Sequence, residues 1–199
     1  MAFPEPGVFG AADVTRGEFR TAIEDFLAAT VAGVAAHGRQ AFTASATFTV
    51  PAGVTQIWAR AVGGGGGGGG SWLTGAPNNA TAGVNGEATT ITRSGTALVS
   101  VLGGIRGTQA TPTGDGTDGL WDHTMLPPYG TGGSAASVLG TSNRGGDGGA
   151  SEGAFALLSV SAGQELVIVI GAGGNGGNGC VPGGSGGNDG NSGIVLLEW

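Results

Sequence analysis

The stretch QIWARAVGGGGGGGGSW, residues 56–72, decides how this chain is read. Ile57, Trp58, Ala59, Ala61 and Val62 are strand-forming and run without a break into eight consecutive glycines, 63–70. Either order ends there, or the fold needs a backbone with no side chains. Working outward, the same doublet recurs in a three-residue period. Residues 173–178 read GGNGGN, 183–188 read GGSGGN and 145–149 read GGDGG. An extended three-fold helix puts every third residue on one edge. Two edges carrying only hydrogen would let several such helices lie side by side, with N–H and C=O groups pairing between them. The other reading, flexible loops hung between strands, stays open at this level.

Other uses of glycine fail on spacing. Collagen needs glycine at every third place over a long proline-rich stretch, and here the register breaks repeatedly. Calcium-binding β-roll repeats need G-G-x-G-x-D before an apolar residue, which 145–148 and 186–189 both miss. Residues 167–176, VIVIGAGGNG, are a strand followed by G-x-G-x-x-G, the dinucleotide-binding form. That chemistry needs a helix N-terminus to receive the pyrophosphate, and the following GGNGCVPGG cannot be helical.

Of 199 residues 46 are glycine and 8 proline, a share at which low-complexity sequence becomes an expectation. Apolar residues still make up 39% and charged ones 11%, whereas disordered chains combine low hydrophobicity with high charge. A folded, glycine-rich protein is expected. A net charge of −7, with no lysine at all, excludes a P-loop and argues against nucleic acid and anionic membrane surfaces as partners. One cysteine, Cys180, precludes an intrachain disulfide and reads as a passive thiol. The opening residues lack a basic start and an apolar core, and no segment approaches a membrane span. A soluble chain made in the cytoplasm, without membrane insertion, is expected.

Composition shifts sharply near residue 40. Thr15 and Glu18 form a capping box, and Phe19, Ile23, Phe26, Leu27 and Val34 then recur at helical spacing. The pattern predicts a helix over 13–36, whose stripe either docks on its own domain or serves oligomerisation and attachment. Residues 1–40 are therefore read as a helical attachment segment and 41–199 as a glycine-rich β domain. After a linker at 36–41, Phe42, Ala44, Ala46, Phe48 and Val50 alternate as a strand. The turn Pro51-Ala52-Gly53 returns it along 54–62 as a hairpin. Further strands are expected at 88–93, 97–102, 155–160, 166–170 and 194–199, with a second hairpin turning at 161–164. Short strands with no helix among them predict a β-sandwich.

Several pieces together resemble a known family. Residues 48–55 (FTVPAGVT), the strand 58–62, the run 63–70, the segment 161–174 (SAGQELVIVIGAGG) and the close 193–199 (GIVLLEW) are similar to the glycine-rich tips of tailed-bacteriophage tail fibres. The resemblance spans about 42–199, with an unmatched middle where 105–150 leave the G-G-x register and no long shaft between helix and tip. It extends to the glycine-rich adhesins of T-even phages, in which packed polyglycine helices carry variable loops. It implies a virion protein that recognises a host-cell surface receptor, polysaccharide or protein, is held by other tail proteins through its N-terminus, and assembles as a homotrimer.

The segment GDGTDGLWDHTMLPPY, 114–129, gathers side chains suited to recognition. Trp121, Asp122, His123 and Tyr129, joined by Trp72, are the candidate sugar platform, a ring face stacking while Asp accepts hydroxyl protons. The bland reading is aromatics plugging the end of a sandwich. Asp115, Asp118, Asp122 and His123 match no metal-loop spacing, so neither metal nor cofactor is expected. Two histidines and no nucleophile with a partner give no triad, so no enzyme is expected. A purely structural tail or baseplate subunit is the competing class, and a carboxylate-based polysaccharide depolymerase ranks below it.

Overall fold

The computed structural model describes residues 20, 21, 23, 24, 37–119, 129–136 and 142–199. The chain divides into two compact units, Met1–Ala36 and His37–Trp199. In the first, Arg20, Thr21, Ile23 and Glu24 are helical. The rest of the helix expected over 13–36, with Phe19, Phe26 and Leu27, lies outside the described residues.

The second unit is mostly β. Ten strands occur among the described residues: β1 (Arg39–Phe42), β2 (Ala46–Thr49), β3 (Gln56–Val62), β4 (Trp72–Leu73), β5 (Thr89–Arg93), β6 (Thr96–Val101), β7 (Ser142–Asn143), β8 (Gly153–Ser159), β9 (Glu165–Val169) and β10 (Ile194–Glu198). One antiparallel sheet runs β1-β10-β3-β8 and a second runs β2-β9-β5-β6. Their buried residues belong to one core: Phe42, Ile57, Ala59, Val195 and Leu197 from the first sheet, and Phe48, Ile91, Val99, Leu166 and Ile168 from the second. Among the described residues only β5 and β6 form a tight hairpin, through Ser94 (φ 48°) and Gly95 (φ 79°). Two left-handed residues give the turn whose twist matches the flanking strands.

The two hairpins predicted from sequence neighbours do not form. β2 pairs with β9, and β3 with β10 and β8, so the turn at Pro51-Ala52-Gly53 carries the chain from one sheet to the other. The turn at 161–164 likewise joins β8 and β9 in different sheets. The single strand expected over 42–50 is two, broken at 43–45, with Ala44 and Ala46 exposed. Phe42 and Phe48 would point the same way along one straight strand. The break moves the chain between sheets while both rings stay in the core, edge to face at 6.1 Å. The linker expected at 36–41 is partly strand too, because 39–41 pair with 196–198 of β10.

Beyond the sheets the glycine runs pack. Each residue from Gly64 to Ser71 donates its backbone N–H and accepts on its C=O, always to another segment. The donors step round in threes. Gly64, Gly67 and Gly70 donate to Glu87, Val84 and Thr81; Gly65, Gly68 and Ser71 to Asn191, Asn188 and Ser185; Gly66 and Gly69 to Gly149 and Gly146. The carbonyls step likewise, accepting from Gly104, Gly107 and Ala110, from Gly133 and Ala136, and from Gly174, Gly177 and Cys180. Six lanes therefore surround the central one, in the order 81–87, 104–110, 144–151, 130–136, 185–193 and 171–180. Each bonds to the next: Gly86 to Gly104, Gly149 to Ile105, Gly148 to Gly133, Asn188 to Ser134, Gly190 to Gly174, and Glu87 to Ala172 closing the ring. Directions alternate round it. A further lane, 115–119, lies outside between 104–110 and 144–149.

This arrangement accounts for both glycine patterns. A three-fold helix has three edges. In the central lane all three are covered, so every position from 63 to 70 is glycine. In an outer lane two edges meet neighbours and the third meets solvent, which gives G-G-x. Along 171–180, Gly171, Gly174, Gly177 and Cys180 are buried while Ala172, Asn175 and Asn178 are exposed. The lane at 104–110 keeps glycine only on the edge facing the centre, at Gly104 and Gly107, which is why the middle of the chain leaves the G-G-x register.

Candidate functional site

Strands feed the lanes directly, so the bundle has a sheet end and a far end. β3 enters the central lane at Gly63, and β10 leaves lane 185–193 after Gly193. Among the described residues, connections 72–80, 111–114 and 181–184, with Ser142 and Asn143 of β7, stand at the far end.

A small core holds this end together. Trp72 is 9% exposed and packs with Ala80, Ala110 and Cys180, flanked by Leu73 and Ala76. Its Nε1–H donates to the Ala76 carbonyl at 3.2 Å, so burial leaves no polar atom of the ring unmet. The buried Cys180 Sγ accepts the Leu73 N–H at 3.1 Å. Val181 N–H donates to Asn79 Oδ1 at 2.8 Å, Asn143 Nδ2 to the Thr111 carbonyl at 2.5 Å, and β4 pairs with β7. Side chains from one connection thus fix the backbone of another. Pro77, Asn78, Pro112, Thr113, Val181 and Pro182 are exposed on this end, all of them uncharged. Such a surface offers amide and hydroxyl hydrogen bonds beside small apolar patches, without ionic attraction.

Of the predicted platform, Trp72 and Tyr129 are among the described residues. Trp121, Asp122 and His123 lie outside the described residues. Trp72 is committed to the far-end core, the plugging role, and offers no open ring face. Tyr129 is half-buried beside Gly130, whose N–H donates to Ser192 and whose carbonyl accepts from Ser151 at the sheet end. At about 3.1 Å per residue, the central lane places Trp72 and Tyr129 roughly 25 Å apart along the bundle. The far-end connections were missed because they carry neither charge nor exposed aromatics. The signal was the Asn and Pro content of 77–79 and 181–182 between glycine runs.

A concavity of about 520 Å³ runs along the side of the bundle between Asp118, Arg144, Asp147, Thr131 and Ser134. Its acids Asp118 and Asp147, and the nearby Asp115, accept backbone N–H groups. Asp118 Oδ1 accepts the Asp147 N–H at 2.7 Å, Asp115 Oδ1 accepts the Arg144 N–H at 2.7 Å, and Asp147 Oδ1 accepts the Ala135 N–H. Asp147 also holds Arg144 Nη2 through both oxygens at 2.9 Å. Among the described residues no three acidic, histidine or cysteine side chains gather for a metal, and no helix is long and apolar enough to cross a membrane. Compared with models of known protein families and with curated proteins, the chain matches none.

Proposed function

We propose that this chain is a receptor-recognising protein of a phage tail, built as a β-sandwich that carries a glycine bundle and presents the far-end connections to the host surface. One observation carries the reading: the described connections 72–80, 111–114 and 181–184, tied to one another and to β7, stand at the end of a closed bundle remote from the two four-stranded sheets. Binding loops on a rigid support are the general solution to recognition. The resemblance to phage fibre tips supports loops of the glycine-rich domain as the contact surface, a polysaccharide or protein receptor as ligand, assembly as a homotrimer, and attachment to tail proteins through Phe19, Ile23, Phe26 and Leu27.

Adsorption of the purified full chain to host cells, and blocking of infection by it, test the proposal. Binding and blocking are expected, and Asn78→Arg with Thr113→Arg, which place large charges on exposed positions, should remove both while the fold persists. An absence of adsorption and blocking would overturn it in favour of a purely structural tail subunit. Unchanged blocking by the double variant would move the contact away from the far end.

A further inference from the structure

Seven steps in the chain join Asn or Asp to a following glycine, the sequence context in which side-chain cyclisation is fastest: Asn85–Gly86, Asp115–Gly116, Asp118–Gly119, Asp147–Gly148, Asn175–Gly176, Asn178–Gly179 and Asp189–Gly190. The reaction needs the glycine nitrogen to lose its proton to solvent and swing onto the preceding side-chain carbonyl carbon. An N–H already bonded to an oxygen inside a packed bundle can do neither.

Six of these N–H groups are held. Gly86 donates to the Gly104 carbonyl at 2.9 Å, Gly116 to Arg144 at 2.8 Å, Gly119 to Asp147 at 2.6 Å, Gly148 to Gly133 at 2.8 Å and Gly190 to Gly174 at 2.8 Å. Gly176 donates to Asp189 Oδ1 at 2.6 Å. Among the described residues Gly179 N–H makes no such bond. Asn178 is exposed, and its own N–H and carbonyl are turned to Thr81 (2.8 and 2.9 Å), while Gly179 is half-buried against the backbone of Gly184 and Ser185 with no acceptor for its N–H among the described residues.

We propose that Asn178 is the site at which this chain spontaneously deamidates, and that the bundle protects Asn85 and Asn175. The Gly179 nitrogen forms a bond to Asn178 Cγ. The Cγ–Nδ2 bond breaks, and Nδ2 leaves as ammonia with the proton lost from Gly179. Water then opens the five-membered imide at either carbonyl, giving aspartate or the β-linked isoaspartate. Neither oxidant nor reductant takes part. The isoaspartate adds a methylene to the main chain between Gly177 and Cys180, whose N–H groups reach Gly68 and Ser71 of the central lane. The three-residue spacing of that lane is lost at the step leading into 181–184.

Incubating the intact chain at mildly alkaline pH and following each asparagine by peptide mass spectrometry tests this. Asn178 should convert roughly tenfold faster than Asn85 or Asn175, about the factor that one hydrogen bond to the attacking group withholds. In urea all three should convert at similar rates. Asp189→Ala frees the Gly176 N–H and should raise conversion at Asn175 severalfold while Asn85 stays slow, the slow Asn85 reporting that the bundle is intact. Native rates equal at the three sites, or an inert Asn178 in the folded chain, would overturn the proposal.

Discussion

Gly67 and Gly114 are the same residue in opposite situations. A β-carbon on Gly67 would land on the Asn175 carbonyl, deep inside contact distance and against backbone that other hydrogen bonds fix. A β-carbon on Gly114 meets nothing within 4 Å. Packed interiors do not absorb even a methyl group without strain. Gly67→Ala should therefore cost more than about 4 kcal/mol and leave little folded protein. Gly114→Ala should stay within about 0.5 kcal/mol of the parent in chemical denaturation. Comparable losses at both positions would mean that glycine serves flexibility here. The same reasoning extends to Gly174 and Gly177, where valine would meet the carbonyls of Val84 and Thr81.

At the level of elements, how much was legible depended on range. Strand positions could be read, because the alternation of Ile57, Ala59 and Ala61 against Trp58 and Arg60 is a local property. Strand partners could not. A turn such as Pro51-Ala52-Gly53 has one local geometry whether it closes a hairpin or crosses between sheets, and the choice rests on which side chains meet across the core. The G-G-x period was visible, but not that the 63–70 run is central, since that needs six segments from across the chain. The platform expected at 121–129 rests on residue type, and the far-end connections carry little that residue type can flag. Residue type suggests a binding role for Trp72, and its burial supports a holding one. Trp72→Ala should lower stability by about 3 kcal/mol, near the small end for such truncations because the ring leans on few and small groups. It should also speed amide exchange at Leu73 and Val181 while β3 and β10 keep their protection. Unchanged exchange at both would mean that Trp72 does not hold the connections.

For the molecule as a whole, the two four-stranded sheets and the lanes are continuous chain, with β3, β6 and β9 running into lanes and lanes running into β5, β8 and β10. Cooperativity between apolar core and glycine bundle follows from that continuity. The bundle has almost no side chains to bury, so its order rests on hydrogen bonds whose partners lie far apart in sequence, and it forms only once those segments are brought together. Amide hydrogen exchange of Gly64 to Ser71 in the native full chain tests this most directly. These amides should exchange only through global unfolding, slowed by at least roughly 10⁴-fold over an unstructured chain, while Gly179 exchanges freely. Exchange of Gly64 to Ser71 at the rate of a flexible loop would contradict the packed bundle.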